Sequence, residues 1–146
     1  MLIHFNAIAC NENLEAVNIM LSPDKVLDYY NYPFECWKWW FGVEENGKNE
    51  VTRANNNMLA PGIIYKKKLH DLIGLPDLNN FLGAADFEYW SRILFNKYKC
   101  KSIPIPSLLY RQSVFSTSNN SSSNIKNYID KIKEKYYNLY ENKKLK

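Results

Sequence analysis

The chain has 146 residues, of which 46% are hydrophobic, 23% charged and 15% aromatic. A chain of this length forms about one domain, and its aromatic content excludes global disorder, because disordered chains are poor in aromatic residues. No apolar run reaches the roughly 18 residues of a membrane span, and the first residues lack the pattern of a signal peptide. The formal net charge of +4 comes largely from the segment 125–146, which argues against a basic nucleic-acid groove elsewhere in the chain.

The cysteines and histidines limit the chemistry that the chain can carry. Its three cysteines are an odd number without CxxC spacing, a pattern that argues against a disulfide framework and against a zinc ribbon. We therefore expect reduced thiols and a cytoplasmic protein. The two histidines, His4 and His70, do not form an HExxH motif, and we assign no metal ligand to either of them.

The first half of the chain contains one clear strand and two apolar segments. Partial alternation over residues 2–9 predicts a β-strand. The run Ser22-Pro23-Asp24 has the N-cap, N1 and acidic first-turn residues of a helix start, and Pro33 ends that helix. An aromatic segment over 34–41 follows, and residues 44–57 are polar and predict a loop around a short strand at Val51.

The second half alternates short strands with helices. We predict a strand over 63–65, a short helix over 67–73 that ends at Gly74, and a loop over 75–83. The longest helical signal covers residues 84–98. It places Phe87, Trp90 and Leu94 on one apolar face, and it places Glu88 and Arg92 at the i, i+4 spacing of a surface ion pair.

The last third predicts a β-structure followed by a separate helix. Residues 100–110 predict one or two strands that are interrupted by Pro104 and Pro106. The Ser/Asn-rich residues that follow divide the chain into a domain over 1–118, a linker over 119–124 and an amphipathic helical tail over 125–146. The fold class is therefore α/β, with a short mixed sheet, flanking helices and a C-terminal amphipathic helix.

One run of residues carries a family resemblance. The run Gly83-Ala84-Ala85-Asp86-Phe87-Glu88-Tyr89-Trp90-Ser91-Arg92, followed by a strand and by Tyr110-Arg111, resembles the second half of family 2 glycosyltransferases of the GT-A fold. Upstream, the small-residue turn and strand over 57–67, and the helix and loop over 68–77, are similar to the segments that precede this motif in the family. The resemblance covers roughly residues 55–118.

The resemblance implies a partial GT-A-like domain and a sugar transfer from a nucleotide-sugar donor to a glycan or another hydroxyl acceptor. Asp86 takes the position of the general base, and its place in the first turn of a helix favours a carboxylate. The substrate-binding candidates are Trp90, as an aromatic wall for a sugar ring or else as a core residue, Arg92, whose equivalent in the family helps to organise the site, and Arg111, which holds a phosphate or the Asp86 carboxylate.

The sequence departs from the family at three points. Ala85 stands where the family has a glutamate, and Ser113 stands where many members have a histidine that resembles a metal ligand. No Asp-x-Asp motif is present, so no metal site is assigned, although family members commonly use Mn²⁺ or Mg²⁺. We expect an acceptor-side portion that lacks the nucleotide-binding half, and an upstream glycosyltransferase half as its partner.

Two alternatives follow from the same residues. The missing motifs favour a non-catalytic, degenerate glycosyltransferase module that binds a partner or a glycan. The lysine-rich segment 125–146 permits a nucleic-acid binder, but its lysines alternate with acidic residues and with an apolar stripe at helical spacing: Ile125, Tyr128, Ile129, Ile132, Tyr136 and Leu139. That pattern favours a helix that packs on its own domain or on a partner, so we expect no nucleic-acid partner.

Overall fold

The computed structural model describes residues 2–20, 31, 34, 38, 62–116 and 122–144. The helix predicted to begin at Ser22 and the loop predicted over 44–57 lie outside these residues. Of the aromatic segment 34–41, only Phe34 and Lys38 lie inside them.

The described residues form an α/β fold whose four-stranded sheet is centred on its first strand. The strands are β1 (Leu2–Cys10), β2 (Ala16–Met20), β3 (Ile63–Tyr65) and β4 (Cys100–Arg111). Strand β1 pairs with β4 in parallel along its whole length. On its other side it pairs antiparallel with β3 through its first residues and with β2 through its last. The strands predicted at 2–9 and 63–65 are confirmed, whereas β2 was not predicted.

A tight turn joins β1 to β2 and explains why these two strands are antiparallel. The side-chain oxygen of Asn11 accepts hydrogen bonds from the backbone N–H groups of Asn13, at 2.9 Å, and Glu15, at 3.0 Å. Leu14 has a φ of 66°, in the left-handed region. Asparagine side chains favour such turns because they replace backbone hydrogen bonds that the turn leaves open.

Strand β4 is continuous, although it contains two prolines. Its register against β1 shifts where Phe5 faces Ile103 and the next residue, Asn6, faces Pro106. Proline has no N–H to donate to the ladder, and the irregular pairing falls at the part of β4 that contains the two prolines. The prediction of one or two strands is therefore resolved as one strand with an irregular register.

Within the described residues 62–116 and 122–144, four α-helices and one 3₁₀ turn accompany the strands. They are α1 (Lys68–Ile73), α2 (Leu78–Phe81), the 3₁₀ turn (Leu82–Ala84), α3 (Ala85–Phe95) and α4 (Ser122–Lys144). Helix α1 ends at Gly74, whose φ of 80° suits glycine. The predicted loop over 75–83 is wrong in part, because α2 begins there. The Asp77 side chain caps α2 by accepting a hydrogen bond from the Asn80 N–H at 3.1 Å.

Helix α3 is buried on nearly every side and ends three residues before the predicted Tyr98. Lys97 adopts a left-handed φ of 62°, and the N–H groups of Lys97 and Tyr98 donate to the carbonyls of Leu94 and Ile93. These two bonds satisfy the last carbonyls of the helix in a Schellman arrangement. The helix therefore stops although its apolar pattern continues.

Helix α4 packs on the same core as α3. Ile132, Tyr136 and Tyr140 recur every four residues and are buried, so the predicted docking of an amphipathic helix through its Ile/Tyr stripe is confirmed. Leu139, which the pattern assigned to that stripe, is 42% exposed. The helix begins at Ser122, inside the segment 119–124 that the sequence predicts as a linker.

The hydrophobic core lies between α3, α4 and the first half of the sheet. It joins residues of β1, α1, α3 and β4 to the buried stripe of α4. Its fully buried members include Leu2, Tyr89, Ile93, Leu94, Cys100 and Ile132. None of the described helices combines the length and the apolar character that crossing a bilayer requires.

Candidate functional site

Helix α3 carries two carboxylates, two residues apart, in opposite environments. Asp86 is in the first turn and is exposed, whereas Glu88 is fully buried, at 0% exposure. Two residues span about 200° around a helix, which places the side chains on opposite sides. The Oδ1 atom of Asp86 accepts a hydrogen bond from the Phe87 N–H at 2.7 Å.

The buried carboxylate is the centre of what we call the Glu88 cluster: Glu88, Arg92, Lys135 and Tyr136. Arg92 donates to both carboxylate oxygens through Nε and Nη2. Lys135 Nζ lies 2.7 Å from Oε1, and the Tyr136 hydroxyl donates to Oε1 at 3.0 Å. The predicted ion pair between Glu88 and Arg92 is confirmed, but its place on the surface is wrong, because α4 covers it.

Arg92 also joins α3 to the end of α1. Its Nη1 donates to the carbonyl oxygens of Ile73, at 2.7 Å, and Leu75, at 3.1 Å. Carbonyls at the end of a helix lack helical partners and favour a nearby cation. The arginine that the resemblance assigns to substrate binding is therefore bonded to a carboxylate and to two backbone groups, and its side chain is only 17% exposed.

The Glu88 cluster holds its carboxylate in the ionised form. Burial alone would raise the pKa of Glu88, but hydrogen bonds from Arg92 and Lys135, together with their charges, bring the pKa below its ordinary value. Burial, and then the charge of Glu88, raises the pKa of the Tyr136 hydroxyl, which stays protonated as a donor. Burial would lower the pKa of Arg92, but its bonds to Glu88 raise it instead.

An open cleft of about 610 Å³ lies beside this cluster. Its lining residues come from the loop before α2, from α2, from α3 and from α4: Leu75, Pro76, Asp77, Leu78, Asn79, Arg92 and Lys135. Hydrogen bonds from Asn80 lower the pKa of Asp77. The cleft therefore offers one carboxylate and two cations that are already bonded to Glu88.

Trp90 lies in the core rather than on an open wall. Its exposure is 7%, and its ring packs against those of Tyr65, at 5.9 Å between centroids, and Tyr89, at 5.4 Å. Among the described residues, neither Trp90 Nε1 nor the Tyr89 hydroxyl has a hydrogen-bond partner. Burial raises the pKa of Tyr89 to about 12. The interpretation of Trp90 as a core residue is confirmed.

Arg111 is exposed at the last position of β4, where it faces Cys10 of β1. Among the residues that the structure describes, it forms no ion pair with Asp86. Of the four predicted site residues, the structure joins Arg92 to the Glu88 cluster and Trp90 to the core. Asp86 and Arg111 remain open to solvent.

Sequence reasoning missed the two α4 members of the Glu88 cluster. Tyr136 was assigned to the apolar stripe of α4, which is correct, but its hydroxyl reaches a carboxylate 48 residues earlier in the chain. The acid at position 88, among the apolar residues of this helix, was the available signal, because such a group needs partners from another element when the helix is buried. In the described part of the chain, no three His, Cys, Asp or Glu side chains are grouped to hold a metal ion.

Comparison with known proteins gave no relative. No protein-family model matches the chain. Neither the curated proteins nor the solved structures gave a match.

Proposed function

We propose that the chain is the acceptor-side part of a glycosyltransferase, with Asp86 as the general base. The observation that carries this proposal is the difference between the two carboxylates of α3. Glu88 is buried and bonded to three side chains, whereas Asp86 is exposed at the start of the helix. Asp86 is therefore the acid of this motif that can meet a substrate.

The chemistry needs a base at this position. An acceptor hydroxyl attacks the anomeric carbon of the donor sugar and gives its proton to an oxygen of Asp86. A bond forms between the acceptor oxygen and the anomeric carbon, the bond from that carbon to the phosphate oxygen breaks, and the nucleoside diphosphate leaves. The positive end of the α3 dipole favours a carboxylate at this position.

The other residues of the motif have supporting roles in this proposal. Arg92 and Trp90 fix α3 from the inner side, and the exposed Arg111 is free to contact a phosphate or an acidic acceptor. An upstream glycosyltransferase half supplies the remaining donor contacts, with Mn²⁺ or Mg²⁺ as the metal that family members commonly use. The odd number of cysteines without CxxC spacing supports a cytoplasmic setting in this proposal, since thiols stay reduced there.

The test measures nucleoside diphosphate release from a panel of nucleotide sugars. The chain is assayed alone, and together with any upstream segment encoded before it or in the neighbouring reading frame, with acceptor glycans present. We expect weak donor binding by the chain alone and turnover with the upstream half. Asp86→Asn should then lower the rate by about 10²–10⁴-fold, because asparagine cannot accept the proton.

Asp71→Asn is the matched control, since Asp71 is also an exposed aspartate in the first turn of a helix. Equal losses in the two variants would contradict the assignment of Asp86. If no donor is turned over with any upstream segment, the non-catalytic module becomes the better account. The replacement of the motif's glutamate by Ala85 favours that alternative, and glycan binding measured by isothermal titration calorimetry would identify it.

A further inference from the structure

Helix α4 covers the turn that precedes Asp86. A methyl group added at Gly83 would lie 3.0 Å from Cγ1 of Ile125 and 3.7 Å from the ring of Tyr128. The backbone of the 3₁₀ turn is therefore in direct contact with the first turns of α4. The turn leads into α3 at Ala85. Movement of α4 would therefore move Asp86, the residue after Ala85.

Helices α4 and α3 run in the same direction and stay in contact along α3. After the Gly83 contact come the bonds from Lys135 and Tyr136 to Glu88, and then the Lys143 ammonium over the Phe95 ring at 4.0 Å. The bonds to Glu88 are the polar contacts that hold this interface together. They lie two residues after Asp86.

The Asp86 carboxylate itself has little support. It accepts a hydrogen bond from the adjacent Phe87 N–H, and none of the described basic side chains forms an ion pair with it. The direction of its side chain therefore depends on the backbone of the first turn of α3. That backbone depends in turn on the contact with α4.

We propose that Lys135 and Tyr136, acting through Glu88, are positioning residues that hold the Asp86 turn in place. This inference rests on the proposed function only in its consequence for catalysis, because the physical coupling is measurable without any substrate. A buried carboxylate that loses one donor keeps part of its desolvation cost uncompensated. The α3–α4 contact should then open locally, and the first turn of α3 should open with it.

The experiment follows backbone amide hydrogen exchange by NMR in the full chain. Tyr136→Phe keeps the ring and removes the hydroxyl, and Lys135→Met keeps the stem and removes the charge. The informative amides are those of Tyr89 and Trp90, which donate to the first-turn carbonyls of α3 through i, i+4 bonds. We expect these amides to exchange about tenfold faster, while the amides of β1 keep their rates.

Matched controls come from the same helix. Tyr137→Phe and Lys131→Met make the same chemical changes at exposed positions and should leave exchange unchanged, whereas Lys135→Arg should restore the slow exchange of Tyr89 and Trp90. The proposal is overturned if exchange rises equally in every element, which shows a global loss of stability alone. It is also overturned if exchange at Tyr89 and Trp90 does not rise.

A kinetic measurement extends the test when turnover is found. Tyr136→Phe should lower kcat about tenfold and leave KM nearly unchanged, because a misplaced base weakens the transition state and not the ground-state complex. A change in KM alone would contradict the positioning role. If no donor is turned over, the glycosyltransferase proposal fails by itself, and the exchange data still decide whether the Glu88 cluster controls the turn.

Discussion

The two ends of the sheet use the same types of apolar residue with opposite results. At the helical end, Ile93, Leu94 and Ile132 are fully buried between α3 and α4. At the outer end, Ile19 of β2 and Leu109 of β4 flank Ile8 in one row of the sheet, yet they are 52% and 56% exposed. The difference indicates that such a side chain contributes most to stability where a helix covers it, since the gain depends on the area removed from water.

The largest expected effect comes from equal truncations at the two ends. Ile132→Ala removes a fully buried side chain and should lower the free energy of unfolding by about 2–5 kcal/mol. Ile19→Ala removes the same atoms from a half-exposed position and should cost under about 1 kcal/mol. Urea unfolding followed by circular dichroism measures both. Similar losses for the two variants would show that the comparison is wrong and that the outer end is covered in solution.

The next prediction measures what the Glu88 cluster contributes to stability, apart from the apolar core around it. Glu88→Ala leaves Arg92, Lys135 and Tyr136 without their common acceptor, and we expect a loss of about 3 kcal/mol. This value lies at the low end for a broken buried ion pair, because Lys135 is 40% exposed and its ammonium can return to water. The measurement is again urea unfolding at neutral pH.

Glu134→Ala provides the control for this variant, since Glu134 is an exposed acid on α4. Its loss should stay within about 0.5 kcal/mol, the usual range for an exposed surface substitution. A loss for Glu88→Ala as small as that of the control would mean that the buried contacts around Glu88 contribute nothing to stability.

The smallest effect is a dependence of stability on pH that belongs to the helical end. The pKa of Glu88 is lower in the folded chain than its ordinary value of 4.5, so the unfolded chain takes up this proton first as the pH falls. The contribution of Glu88 is therefore complete above about pH 4.5 and is lost as the pH falls through the folded pKa. Unfolding of the native chain and of Glu88→Gln should be compared at neutral and acid pH. The native chain should lose more stability on acidification than the variant, and equal losses would contradict the lowered pKa.

The sequence predicted the elements whose signals are local. The Gly74 helix end follows from the need for a left-handed residue, and the buried stripe of α4 follows from its helical spacing. Strand β2 was missed, because Val17 and Ile19 make a weak alternation without a buried face. The end of α3 was placed too late, since Lys97 adopts a left-handed conformation that the side chain itself does not favour.

The candidate site was predicted only where its signals are local. The i, i+4 spacing of Glu88 and Arg92 correctly predicted their ion pair, because both residues lie on one helix. Burial of that pair needs Lys135 and Tyr136, which lie 47 and 48 residues after Glu88 in the sequence. No local pattern indicates contacts between residues so far apart. Asp86 is exposed to solvent, which agrees with its proposed role. The sequence contains no pattern that indicates a partner for its side chain.

The parallel pairing of β1 with β4 has a consequence for how the chain folds during synthesis. The first residues of the sheet must wait for partners about 100 positions later, which is about 5–20 s at ribosomal speed. Until then β1 has only the short hairpin with β2 and, once residue 65 is made, the three-residue strand β3, and an isolated hairpin is marginally stable. Such long-range pairing slows folding. Until β4 is made, the unpaired edge of β1 is therefore the part of the nascent chain that can associate with other molecules.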